Sequence, residues 1–208
     1  MARSSGRAAE ADKIRQLEEK AASKTAAVRR TSIRTVAAIA VVVAGLIAAV
    51  IFSPDPPGIL YADLGNFHLS SIGETHTPYN SSPPSSGPHF GSIAAWTDHE
   101  DPVPAELFVH NLEDGGIVLT HSCAGSCGEV TDGMRATLDG FAGENVMMTA
   151  YPDIRDPEGV ERLGAVVAWT RVYYFDDWSS DTQKNVRNFI RLFEGIDNHV
   201  STNTGNRN

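Results

Sequence analysis

Seventeen consecutive residues, Val36 to Phe52 (VAAIAVVVAGLIAAVIF), carry no charge and no side-chain hydroxyl or amide. A helix of that length rises roughly 25 Å, near the lower limit for crossing a bilayer core. No polar stripe interrupts the run, which argues against the core helix of a globular domain. A long arm precedes it and no strong A-x-A site follows, which argues against a cleaved secretory signal. Arg29, Arg30 and Arg34 crowd its N-terminal side, whereas Ser53-Pro54-Asp55-Pro56-Pro57 has no Lys or Arg. These features predict a transmembrane helix over 35–53 acting as a signal anchor. The protein would then be a single-pass protein of the cell membrane, its N-terminus cytoplasmic and its C-terminal domain extracytoplasmic.

The run also divides the charge. Up to Arg34 there are nine Lys/Arg against four Asp/Glu, a balance of +5; from Pro54 onward there are eight against twenty-two, a balance of −14. The formal −9 of the whole chain is the sum of those unequal parts. A domain at −14 repels nucleic acid, so no nucleic-acid partner is expected. With 41% hydrophobic residues the chain is not a wholly disordered one. The organisation read from this is a basic cytoplasmic arm over 1–34, a linker over 54–75, an α/β domain over 76–197 and a disordered tail over 198–208.

Within the domain, Tyr79 to His89 (YNSSPPSSGPH) is a Pro- and Ser-rich loop of turns and extended backbone. Pro104 at a first helical position, apolar Leu107, Phe108 and Leu112, and a Gly115-Gly116 stop predict a short helix. Ile117 to Thr120 reads as a strand, Glu129 to Phe141 as a helix, and Val146 to Tyr151 as a strand. Asp156-Pro157-Glu158 predicts a brief helix ending near Gly164. Ala165 to Phe175 reads as one long strand, and Ser179 or Ser180 caps a final helix lined by Val186, Phe189, Ile190 and Phe193. That alternation predicts a small α/β layer on a mostly parallel sheet.

Two groups of residues can carry chemistry. Cys123 and Cys127 sit at a strand-to-helix junction. They form either a disulfide that staples a tiny loop or a thiol pair for redox exchange or soft-metal binding. Six histidines, His68, His76, His89, His99, His110 and His121, fall within 54 residues. On a helix His110 and Asp114 share a face, with Glu113 beside them; His89 or His76 from the Pro-rich loop would complete a metal site. The plainer alternative is a hydrogen-bonded histidine that fixes the loop to the helix. There is no phosphate-cradling Gly-rich loop and no G-x-S-x-G elbow.

The stretch Thr120-His121-Ser122-Cys123-Ala124-Gly125-Ser126-Cys127-Gly128-Glu129 resembles the CxxxC of membrane-anchored copper chaperones that serve cytochrome oxidase. This resemblance implies a thioredoxin fold, hence a thioredoxin-like βαβαβα layer with a Pro-rich N-terminal loop, preceded by one transmembrane helix. Tyr79 to His89, Pro102-Val103-Pro104, Val109 to Gly116 (VHNLEDGG) and Ala150-Tyr151-Pro152 together resemble an uncharacterised bacterial family of single-span anchored proteins. Where this chain has Asp114, that family usually has a second histidine. The resemblance implies an anchored topology and no established activity.

The function expected is an extracytoplasmic domain that binds or handles a metal ion, copper favoured over other transition metals. Its ligands would be His89, His110, Asp114 and His76, with Cys123 and Cys127 as a redox or disulfide pair. The alternatives are a thiol–disulfide redox protein and a non-catalytic accessory subunit. Its partners would be the membrane and a membrane complex or metalloprotein.

Overall fold

The computed structural model describes residues 55–123 and 127–199, together with 15, 19, 20, 24, 35, 36 and 38–47. The chain divides into two compact units, Met1–Asp55 and Pro56–Asn208.

In the first unit the described residues before Asp55 are helical, and Val36, Ile39, Val41 and Leu46 are exposed. Of the span expected over 35–53, residues 37 and 48–53 lie outside the described residues. Among the described residues no helix is long and apolar enough to cross a membrane. This corrects the transmembrane helix expected over 35–53. It also corrects the single-pass cell-membrane placement, with cytoplasmic N-terminus and extracytoplasmic domain, that rested on that helix. Apart from 15, 19, 20 and 24, the arm expected over 1–34 lies outside the described residues, as does the tail from 200.

The second unit is built on a five-stranded sheet. Its strands are β1 (Ile59–Leu60), β4 (Ile117–His121), β5 (Val146–Ala150), β6 (Gly164–Ala168) and β7 (Arg171–Phe175), in the order β1-β7-β6-β4-β5. The short strands β2 (His68–Leu69) and β3 (His89–Phe90) form a separate parallel pair. Three helices cover the large sheet: α1 (Ala105–Glu113), α2 (Gly128–Asp139) and α3 (Ser180–Phe193).

Both faces of the sheet are buried, so the central strand β6 (GAVVA) is apolar and buried throughout, and the first three residues of β4 (Ile117, Val118, Leu119) are apolar rather than alternating with polar ones. Ile117 and Leu119 of β4 pack with Val130 and Met134 of α2 and Val186, Phe189 and Ile190 of α3. Val118, between them in the strand, points the other way and joins Phe108, Val109 and Leu112 of α1. Successive strand side chains alternate faces, and here each face has its own helix layer. The α3 helix starts where Ser179 Oγ accepts the Thr182 backbone N–H at 3.3 Å.

Three of the expected helices and the strands at 117 and 146 form close to the residues predicted. The expected thioredoxin-like βαβαβα layer on a mostly parallel sheet is corrected, because only β4 and β5 run parallel in the large sheet. Two local causes account for it. Ala165 to Phe175 is not one strand: the chain reverses at Trp169-Thr170, where Thr170 takes φ 60°, and β6 and β7 pair as a hairpin. The helix expected after Asp156 is a turn. Asp156 Oδ1 accepts the backbone N–H groups of Glu158 and Val160, at 3.0 and 2.9 Å. Gly159, at φ 80°, then turns the chain back. The arrangement is a mixed α/β sheet that begins with β1, inside the segment expected to be a linker.

Candidate metal centre

The C-terminal end of α1, the β2–β3 pair and the chain beyond α3 converge on one carboxylate. Register places His68 of β2 opposite His89 of β3. Their rings meet edge to face with centroids 4.8 Å apart. The Pro-rich loop holds β3 there. Tyr79 Oη donates to the Pro88 carbonyl at 2.7 Å, and the Gly87 N–H donates to the Gly65 carbonyl at 3.0 Å. The loop includes a cis Ser82–Pro83 peptide.

The helix motif supplies the rest, and nearly every residue in it has a task. His110 and Glu113 stand one turn apart on α1 and face the histidine pair. Asn111 clamps the loop before the helix, accepting the Ala94 N–H at 2.8 Å and donating to the Ala94 carbonyl at 2.9 Å. Leu112 fills the core. At Gly115 a Cβ would come within 2.8 Å of the Ile196 backbone, and at Gly116 within 2.3 Å of the Trp96 ring. Those two glycines let the C-terminal strap and Trp96 pack directly on the helix end. Asn198 and Gly195 donate backbone N–H groups to the Glu113 and Gly115 carbonyls, both at 2.8 Å, and so bring His199 to the site.

Around Glu113 Oε2 lie four imidazole nitrogens: His89 Nε2 at 2.9 Å, His68 Nε2 at 3.4 Å, His110 Nδ1 at 3.5 Å and His199 Nε2 at 3.5 Å. Glu113 and His89 are fully buried, while His68 and His199 are about half exposed at the rim. One carboxylate oxygen cannot accept four hydrogen bonds. His110 Nδ1 and Glu113 Oε1 are in fact buried with no hydrogen-bond partner. A metal ion with ligands at about 2.0–2.2 Å draws its donor atoms to spacings of about 3.0–3.5 Å; each nitrogen is 2.9–3.5 Å from Glu113 Oε2, and the donors of His68, His89, His110 and Glu113 lie within 4.8 Å of one another.

The tautomers are prepared in the same sense. His89 Nδ1 donates to the Gly87 carbonyl at 2.8 Å, because a carbonyl only accepts; His89 Nε2 is left to face Glu113. His199 Nδ1 is likewise held by Asp197 Oδ1 at 2.6 Å. Burial lowers the His110 pKa against the opposing pull of Asp114, which favours the neutral, ligating ring. Burial alone would raise the Glu113 carboxyl. The Asn66 amide and the His89 and His199 rings outweigh it, so Glu113 stays below its ordinary value. Asn66 acts from outside strict hydrogen-bond geometry, since Oε1 has no partner that meets it. Asp197 raises the His199 pKa above the ordinary histidine value. The helix adds its own field, because the negative end of the α1 dipole favours a cation there.

Two groups can therefore hold a metal ion: His68, His89, His110 and Glu113, and His110, Asp114 and His199. Of the residues singled out in the sequence, His89 and His110 come together and Asp114 lies on the far side of the His110 ring. His76 does not join them; its Nδ1 lies 2.7 Å from the Thr77 carbonyl and its ring packs on Tyr79. His99 and His121 are also elsewhere, His99 bonded to the Ala95 carbonyl and His121 with a buried, unpartnered Nδ1. His68 stands out in the sequence only as one of six clustered histidines and Glu113 only as a neighbour, and His199 has no sequence signal. Cys123 and Cys127 are joined in a disulfide, Cα atoms 5.8 Å apart, and belong to neither group.

Fold and site together define a mixed α/β domain that gathers histidines from four chain segments around a buried glutamate. Residues 72–205 match the family described as a protein of unknown function (DUF3105), and the chain belongs to that family. No curated protein and no solved structure matches it.

Proposed function

We propose that this domain binds a divalent transition-metal ion through His68 Nε2, His89 Nε2, His110 Nδ1 and the Glu113 carboxylate, with His199 at the rim. The observation that carries this reading is the set of four imidazole nitrogens within 3.5 Å of one buried carboxylate oxygen. Three imidazoles and a carboxylate suit Zn2+, Cu2+, Ni2+ or Fe2+; with both thiols committed to a disulfide, the site has no donor that selects Cu(I). Cu2+ heads the order of affinity for such donors, so copper binds tightest when metals compete at equal concentration.

The test is metal analysis of the full chain after chelator stripping, reloading and gel filtration. At least one ion per chain is expected in the wild type and a loss of that ion in His89→Ala. A wild-type chain that leaves the column metal-free refutes the reading. Binding should also stabilise the fold. An ion at 100 times its Kd adds about 2.7 kcal/mol, which is about 5–10 °C in Tm for a domain of this size.

A further inference from the structure

The geometry points to a second, outer site for a divalent cation at His110, Asp114 and His199, sharing the His110 ring with the inner site. This deepens the metal-binding reading above and rests on it. The two nitrogens of His110 face different carboxylates: Nδ1 lies 3.5 Å from Glu113 Oε2, and Nε2 lies 4.0 Å from Asp114 Oδ1. A separation of 4.0 Å is too long for a hydrogen bond that would merely orient the ring. With His199 Nε2, these donors lie within 4.8 Å of one another, so a small rotation of the partly exposed Asp114 and His199 side chains brings all three onto one ion. His199 Nε2 completes the group, 3.3 Å from Asp114 Oδ1. Because Asp197 holds His199 Nδ1 at 2.6 Å, Nε2 is the nitrogen left to ligate.

The surroundings favour a cation that comes and goes. Asp114 and His199 line an open cleft of about 300 Å³ with Ile93, Trp96, Asn145 and Asp197. Among the described residues neither Asp114 nor Asp197 pairs with a Lys or Arg, so the negative charge of the cleft is compensated only by histidine. In the inner group His89 and Glu113 are fully buried and His68 is the one exposed member, whereas in the outer group Asp114 and His199 are 32% and 46% exposed. The outer site is thus the more open of the two, and the His110 ring and His199 Nε2, which is 3.5 Å from Glu113 Oε2 and 3.3 Å from Asp114 Oδ1, lie between them. When His110 ligates through both nitrogens, its remaining ring proton leaves to solvent.

Titration of the stripped full chain with Zn2+ tests this by stoichiometry. Two ions per wild-type chain are expected, falling to one in Asp114→Asn and in His199→Ala, both changes at the exposed rim. One ion in the wild type, or two in both variants, overturns the outer site and leaves the inner reading standing. No ion in the wild type overturns both. Loading with two Cu2+ per chain checks the shared ring. Coupling through it should reduce the wild-type electron paramagnetic resonance intensity below half of the two-spin value, while Asp114→Asn shows one full isolated spin. Full two-spin intensity in the wild type excludes the bridge.

Discussion

At the scale of single residues, the site depends on a glycine that ligates nothing. Gly87 sits at φ 115°, and a Cβ there would lie 3.2 Å from Leu64 Cβ and 3.3 Å from the Tyr79 ring. Its carbonyl fixes the tautomer of His89. Gly87→Ala therefore strains the backbone and shifts that acceptor. A loss of about 1–3 kcal/mol of stability is expected, together with a metal affinity weakened at least tenfold. Denaturant unfolding of the stripped protein and a metal titration measure the two effects, and a variant unchanged in both would show that the loop does not position His89. At this scale the sequence was only partly legible. His89, His110 and Asp114 announce themselves because they lie in a turn-rich loop and at helical spacing. His68 lies 45 residues before Glu113 and His199 lies 86 after it, so only tertiary pairing brings them in. A buried Glu113 is likewise invisible locally, since an acidic residue near a helix end usually faces water.

Among elements, the disulfide is separable from the metal centre. It joins the end of β4 to the N-cap of α2, and Cys127 packs against the core on the α2–α3 side of the sheet. The histidine cluster is assembled around α1, which packs on the opposite face. Closing so short a loop stabilises the fold by about 2 kcal/mol in the chain-entropy account. The double variant Cys123→Ser with Cys127→Ser should therefore lose stability of that order in denaturant unfolding and keep its metal affinity within about twofold. Loss of metal binding in that variant would place the sulfurs in the site after all. The elements that the sequence showed are those with strong helical or β-branched periodicity; the failures are turns. The β6–β7 reversal is made by Trp169-Thr170, without the Asn-Gly or Gly-Gly that usually marks a two-residue hairpin. At Asp156 the same side chain that would cap a helix instead closes a turn, because Gly159 follows three residues later.

For the whole molecule, the titrating groups predict an acid response in two windows. Burial lowers the pKa of His121, which is remote from the metal ligands. A base with a depressed folded pKa is neutral in the fold and charged in the unfolded chain. Its contribution is full above the ordinary histidine value, about 6.5, and is lost as pH falls from there toward the folded value. The carboxylates act lower. The Arg162 guanidinium, which meets Asp156 Oδ2 at 2.6 and 3.0 Å, is the largest cause holding that carboxyl below its ordinary value; the Val160 and Glu158 N–H groups add to it. Asp177 is lowered by the N–H of Ser179 at the start of α3. These groups stabilise the fold fully above the ordinary aspartate value, about 3.9, and the stabilisation is lost as pH falls through their folded values. The Tm of the metal-free chain should thus decline first below about pH 6.5 and more steeply below about pH 4. His121→Gln is expected to reduce the upper step without changing the lower one, His110, whose pKa burial also lowers, supplying the remainder, and Arg162→Met to make the lower one shallower. Calorimetric scans of the stripped wild type and both variants from pH 3 to pH 8 decide the matter. Identical pH profiles in all three would mean that neither His121 nor the Asp156–Arg162 pair governs acid stability.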